Sequence, residues 1–293
     1  MKTFLLLISI TCGIILPYGH DYTFLIRYFL MAMLFFSFLD IKIEKEVITK
    51  QHFIILMLLV TVSVIVYVVV SRFNVEAARA VFIAAIGPTA IAAPVIISLK
   101  KGKVEFVVFS LLLNNMVIAL LIPFILPVIM ASNAEISVNQ ILLPVVITIT
   151  VPFIAARLTK YAVPKIWKEL VKWKDLTFYL LMLNIYIATS KASYYISNES
   201  PDHYDTIILI GILTALTCAL LFILGHFVGG KKFKEEASFS LGQKNNGFTI
   251  WIALTYMNPV SVIGPVFYVM FQNIFISWKL YKHNKAEKQV ASV

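Results

Sequence analysis

The sequence predicts an all-α, polytopic membrane protein, and three observations carry that expectation. The first is composition: 60% of the 293 residues are apolar and only 14% are charged, where a soluble globular chain averages roughly 45–50% and about 25%. The second is that the apolar residues fall in ten runs of about the 20 residues that a bilayer crossing needs. The third is that the Lys and Arg residues behind the formal charge of +10 gather at alternate ends of those runs, as cytoplasmic loops do. They do not form the single basic face of a nucleic-acid-binding protein. With 22 Phe, 13 Tyr and 4 Trp against 11 Gly, disordered and collagen-like chains are excluded. Cys12 and Cys218 each lie in an apolar run with no Cys or His at ligand spacing, which excludes a disulfide framework and a metal site.

Taken in order, the expected spans are 3–17, 22–39, 53–71, 77–99, 106–130, 138–158, 176–195, 206–228, 237–257 and 259–281. The first follows Lys2 but precedes no small-residue cleavage site, so it reads as a retained span and not as a signal peptide. The fourth is broken by Gly87-Pro88-Thr89 with Pro94 following, and the ninth by Gly242-Gln243-Lys244-Asn245-Asn246-Gly247. The fifth carries Asn114 and Asn115, the seventh a lone Asn184 that reads as packing, and the tenth Gln272 and Asn273. Between spans six and seven, the basic and aromatic stretch 159–175, with Tyr161, Trp167 and Trp173, reads as an interfacial amphipathic connector.

With the N-terminus cytoplasmic, twenty of the 25 Lys and Arg fall on the inner side. They include Lys42 and Lys45 in the loop after span two, Lys174 in the long connector, and the basic tail. Arg72 and Arg79 lie outside, and the outer loops carry Asp21, Glu135, Glu199, Asp202 and Asp205 instead. This asymmetry places both termini in the cytoplasm and the chain in a plasma (inner) membrane. Three cations lie within spans: Arg27 and Lys191, within reach of an interface, and Lys244, on the ninth-span break. No GxxxxGK[ST] pattern occurs, so an ATP-driven pump is excluded. No GxSxG elbow or HExxH helix occurs either, which argues against an enzyme, and the five His residues lack ligand spacing.

The chain reads as one transmembrane domain, 1–293, made of two repeats, 1–130 and 131–293. Residues 113–120 of the fifth span match 271–278 of the tenth in apolar and amide pattern, an offset of 158, and the breaks at Gly87 and Gly242 are 155 apart. Five spans per repeat is an odd number, so the second repeat enters the membrane inverted, giving a five-plus-five inverted repeat with broken, crossing helices four and nine. Paired interrupted helices in corresponding positions are the sequence pointer to a transporter binding site. Unwound backbone at membrane depth has polar groups that lipid cannot satisfy.

These features resemble the bile acid:sodium symporter family over nearly the whole chain. Residues 87–95, Gly-Pro-Thr-Ala-Ile-Ala-Ala-Pro-Val, are similar to that family's CPGGTASNV stretch, and residues 238–248, Ser-Phe-Ser-Leu-Gly-Gln-Lys-Asn-Asn-Gly-Phe, to its SIEVGMQNSGL stretch. The resemblance implies a carrier of a small organic anion that works by alternating access. It also implies two sodium sites built from oxygen ligands, and there this chain departs. The Ser-Asn pair becomes Ala93-Pro94, two later hydroxyls become Val107 and Leu111, the Glu becomes Ser240 and the Gln becomes Lys244. Ala, Val and Leu side chains offer a hard cation nothing, so sodium coupling is not expected to survive.

Lys244 is the central candidate, because an ionised Lys near mid-bilayer costs roughly 2.5–3.5 kcal/mol even on lenient insertion scales and usually faces a cavity. It reads in three ways: as a built-in cation that replaces sodium and knits the break to carbonyls and Asn side chains, as the ligand of a substrate carboxylate or sulfonate, or as a proton carrier. The resemblance points most directly to the first, and a lysine snorkelling to the inner interface is the plain structural alternative. The remaining substrate- or ion-binding candidates are Gln243, Asn245, Asn246, Ser240, Thr89, Asn114, Asn115, Gln272 and Asn273. Gly87, Pro88, Pro94, Gly242 and Gly247 form the breaks. The expected function is a secondary transporter of a small organic anion, with no cofactor, no nucleic acid, no obligatory protein partner, and membrane lipid around it. The runner-up is a proton-coupled or uncoupled efflux carrier of a related broken-helix fold, or, from another class, a non-transporting membrane sensor.

Overall fold

The structure is a computed structural model that describes residues 2–39, 48–130, 137–173, 175–199 and 204–291. The charge assignments made for Lys42, Lys45, Glu135, Lys174 and Asp202 lie outside the described residues, as do the side chains of Lys2, Glu199 and Lys288. Among the described residues the protein is all-α. The helices are α1 (Lys2–Ile15), α2 (Leu25–Leu39), α3 (Lys50–Val70), α4 (Val75–Ala85), α5 (Ala93–Leu99), α6 (Val104–Met130), α7 (Val138–Ala162), α8 (Pro164–Lys172), α9 (Leu176–Glu199), α10 (Tyr204–Gly229), α11 (Lys234–Gly242), α12 (Asn246–Tyr256) and α13 (Ile263–Ala291). Short 3₁₀ turns occupy Pro17–Tyr22 and Pro259–Val262.

Five helical segments are long and apolar enough to cross a membrane: Lys50–Val70, Val104–Met130, Val138–Ala162, Tyr204–Gly229 and Pro259–His283. The chain is therefore a multi-pass membrane protein. Of the other expected spans, those at 3–17 and 22–39 form apolar helices of only 14 and 15 residues, about 21–23 Å at 1.5 Å per residue. The runs at 77–99 and 237–257 each divide into two short helices. The connector after α7 forms α8, which starts at Pro164, and Trp167 Nε1 donates to the Leu39 carbonyl at 2.9 Å.

Packing sorts the helices into two groups. In one, α1 lies on α9, and α2 on α7 and α9; in the other, α4 packs on α3, α10 and α13, α11 on α10 and α6, and the short helix α5 on α6 and α11, while α6 also lies on α7. Helix α12 packs against α2 and α9 across the seam between them. Between helices in lipid, close packing and hydrogen bonds replace the hydrophobic drive, so small residues matter at the contacts. A Cβ on Gly264 of α13 would run into the Ala80 carbonyl of α4, which is why those two backbones can touch. In α7, Pro144 has no N–H, so the Gln140 carbonyl loses its helical donor. The Tyr256 hydroxyl at the end of α12 donates to that carbonyl at 3.4 Å, a link across the seam.

Candidate functional site

The two interruptions meet. Helix α4 stops because Pro88 lacks an N–H and disfavours helical backbone at Gly87. Chain direction resumes at α5, whose first turn holds Pro94. Helix α11 stops at Gly242, and Asn245 caps the start of α12 by accepting from the Phe248 N–H at 3.3 Å. Between the helices, Thr89 and Lys244 form an antiparallel bridge: Ala90 N–H donates to the Gln243 carbonyl at 2.8 Å, and Asn245 N–H to the Pro88 carbonyl at 2.8 Å. Each break supplies groups the other lacks, so little buried backbone goes unpaired. Gly87 permits the approach, since a Cβ there would lie 2.8 Å from Thr249 Cγ2 and 3.4 Å from Lys244 Cβ.

Side chains complete the accounting. Were α11 to continue, the Lys244 N–H would donate to the Ser240 carbonyl. Instead the Thr89 hydroxyl donates to that carbonyl at 2.6 Å, and the Lys244 N–H donates to Gln272 Oε1 at 2.9 Å. Asn114 Nδ2 donates to Thr89 Oγ1 at 2.8 Å, and Asn115 Nδ2 to the Thr89 carbonyl at 2.9 Å. Asn245 Nδ2 reaches Asn115 Oδ1 at 3.4 Å, and Asn246 Nδ2 donates to the Lys244 carbonyl at 3.1 Å. The Tyr268 hydroxyl donates to the Gly242 carbonyl at 2.7 Å. Tyr268 was not a sequence candidate, because an aromatic in an apolar run reads as packing. Its position four residues before Gln272, on the same helical face, is the signal that could have marked it.

Of the sequence candidates, Thr89, Asn114, Asn115, Ser240, Gln243, Lys244, Asn245, Asn246 and Gln272 therefore come together, all buried. Asn273 does not join them: its Nδ2 donates to the Val269 carbonyl of its own helix at 2.7 Å. Pro94 and Gly247 lie in the first turns of α5 and α12, outside the unwound backbone, while Gly242 is the last residue of α11. Val107 and Leu111 of α6 are buried apolar side chains.

Among the described residues, several polar atoms at the crossing keep no partner: Asn114 Oδ1, Ser240 Oγ, Gln243 Oε1, Lys244 Nζ and Asn246 Oδ1. Lys244 is 2% exposed, and its ammonium, with three donors to place, meets no acceptor among the described residues. The ammonium therefore does not knit the break to carbonyls and Asn side chains as the sequence reading expected. The lysine backbone does that work, because its N–H and C=O are the groups the break set free. Two surface concavities, of about 450 and 270 Å³, lie between α10 and α13, and neither is lined by a residue of the breaks.

At the far ends of α5 and α11 the charges are paired. Glu235 binds Lys100 and, at 2.8 Å, Lys279 of α13, while Glu236 accepts from the Lys103 N–H at 2.9 Å. Burial alone would raise the Glu235 carboxyl, but hydrogen bonds from Lys100 and Lys279 outweigh it and hold the group below its usual range. Compared with protein-family profiles and with curated proteins, the chain matches none of either.

Proposed function

We propose that the protein is a secondary transporter that moves a small organic anion by alternating access, with the fixed charge of Lys244 where related carriers hold a coupling cation. The observation that carries this reading is the buried, unpartnered Lys244 ammonium beside two helix breaks that pair backbone to backbone. A cation without an acceptor at membrane depth is expensive unless function requires it. Crossed interrupted helices are a form in which unwound backbone is tolerated around a solute.

The five-plus-five inverted repeat belongs to the same reading, and the amide pairs Asn114-Asn115 and Gln272-Asn273, 158 residues apart, are what suggests it. Asn115 of α6 holds the first break through the Thr89 carbonyl, and Gln272 of α13 holds the second through the Lys244 N–H. The amide pairs stand at the offset that relates the halves. In this reading both termini are cytoplasmic, and the bundle that carries the breaks, with α4, α5, α11 and α12, moves against α1, α2, α7 and α9. The likeness to bile acid:sodium symporters belongs to this proposal as well.

The test is thermal stability of the detergent-purified protein with sodium or potassium as the main salt, with and without small mono- and dicarboxylates. Stabilisation by an acid, indifferent to sodium in the wild type and sodium-dependent in Lys244→Gln, supports a built-in cation. Sodium dependence in the wild type overturns it. The same orphan amine also suits a proton carrier, which acidification of reconstituted vesicles during uptake would distinguish.

A further inference from the structure

A second cation lies on the seam between the two helix groups. Arg27, in the first turn of α2, reads in the sequence as a cation near a membrane interface, yet its side chain turns into the protein. Nε donates to Thr148 Oγ1 of α7 at 2.9 Å, Nη2 reaches the Pro144 carbonyl at 3.4 Å, and the guanidinium carbon lies 5.8 Å from the Trp251 ring centroid of α12. Trp251 is five residues past Asn246, about 7.5 Å along the helix from the crossing. The same face of α2 continues down to the second break: a Cβ on Gly247 would lie 3.5 Å from Leu30 Cδ1 and 3.6 Å from Met33 Cε. Met33 Sδ in turn receives Asn184 Nδ2 of α9 at 3.9 Å.

Three features separate this arrangement from a strut. The groups that hold Arg27 are all neutral, and no carboxylate lies within ion-pair distance of it among the described residues. The end of the guanidinium away from Nε is nearly uncommitted: Nη1 makes no hydrogen bond among the described residues, and Nη2 makes only the long contact to Pro144. On the same seam, Asn184 is fully buried and its Oδ1 has no partner.

We propose that Arg27 is the anion-recognising residue of the carrier. Its free fork takes a carboxylate of the substrate in two parallel N–H···O bonds, beside the Trp251 ring, while Asn184 Oδ1 accepts from a donor elsewhere on the same molecule. A sulfonate presents the same paired oxygens. The proposal rests on the carrier reading and supplies the substrate class to it: a small carboxylate or sulfonate, held more tightly where it also carries a hydroxyl or amine donor.

Benzoate and its neutral isostere benzamide test the charge, and benzenesulfonate tests the second acid type, by thermal shift of the detergent-purified full chain at constant ionic strength. Benzoate is expected to stabilise the wild type beyond benzamide. Arg27→Lys keeps the charge but loses the fork, and should weaken apparent benzoate affinity at least tenfold. Arg27→Gln should erase the difference between acid and amide. Thr148→Val removes a support of Arg27 without touching the charge, so it should lower basal stability yet keep that difference. If Arg27→Gln fails to fold, the Arg27→Lys affinity decides alone. A benzoate response that persists in Arg27→Gln and disappears in Lys244→Met overturns the role of Arg27 and leaves the carrier reading standing, with the anion at the crossing. No difference between benzoate and benzamide in the wild type also overturns it, while the sodium test of Lys244 judges the carrier reading separately.

Discussion

The first break, between α4 and α5, and the second, between α11 and α12, meet at one bridge but differ in what they leave over. Thr89, the polar side chain at the centre of the first, is used on both sides: its hydroxyl accepts from Asn114 and donates to the Ser240 carbonyl. Along the second, Gln243, Lys244 and Asn246 each keep one buried atom without a partner. One break is thus a closed hydrogen-bonded joint and the other an open one. The difference teaches where binding capacity lies, because a buried donor or acceptor that structure does not use is a standing free-energy cost that a ligand can relieve.

The largest effect is expected at the closed joint. Thr89→Val keeps the shape and deletes the hydroxyl, leaving the Ser240 carbonyl and the Asn114 amide buried without partners. At about 1–3 kcal/mol for each of these two groups, the loss should be about 2–6 kcal/mol, read as a lower melting temperature in detergent. Lys244→Met at the open joint should go the other way: replacing an unpartnered buried ammonium by an unbranched thioether should raise stability by about 1–3 kcal/mol and, under the proposed carrier function, abolish transport in reconstituted vesicles. Opposite signs at two residues of one bridge would sharpen the comparison. Equal destabilisation would break it.

The ends of α5 and α11 give a third handle, which tests whether the two arms are tied away from the crossing. Because the folded Glu235 carboxyl lies below its unfolded value, its ion pairs contribute stability that is fully present above the unfolded value. That contribution is lost as pH falls through the folded one. Glu235→Gln should cost about 1.5–3 kcal/mol near neutrality, as for a hydrogen bond to a charged group. It should also flatten the acid side of the stability profile, measured as melting temperature against pH. An unchanged acid limb would mean that Lys100, Glu235 and Lys279 do not brace the arms.

How legible all this was in the sequence depended on how local each signal is. Gly87-Pro88, the polar run 242–247 and the amides at Asn114, Asn115 and Gln272 stand out because lipid-embedded helices rarely carry them, and the structure brings them to one place. The bridge itself was not legible, since pairing Thr89 with Lys244 spans the length of a whole half of the chain. Tyr268 was hidden because its ring dominates its hydropathy while its hydroxyl does the work. Arg27 was discounted because it lies within reach of an interface, and Asn184 because it looks solitary along the chain; only the packing of α2, α7, α9 and α12 gives them company. The shortness of α1 and α2 was also invisible, because hydropathy marks an apolar run without fixing where the helix starts.

The smallest expected effect tests the matching of the two halves. The offset of 158 pairs Asn115 with Asn273 and Asn114 with Gln272, yet only Gln272 of the second pair faces the crossing, because neighbours on a helix point about 100° apart. Asn273 is half-buried and returns its amide to the Val269 carbonyl of its own helix. Asn273→Ala should therefore change stability by no more than about 0.5 kcal/mol, whereas Gln272→Ala removes the acceptor of the Lys244 N–H and should cost about 1–3 kcal/mol. Parallel melting curves decide it: comparable losses would mean that both amides serve the second break, and that the distinction between a closed and an open joint is drawn in the wrong place.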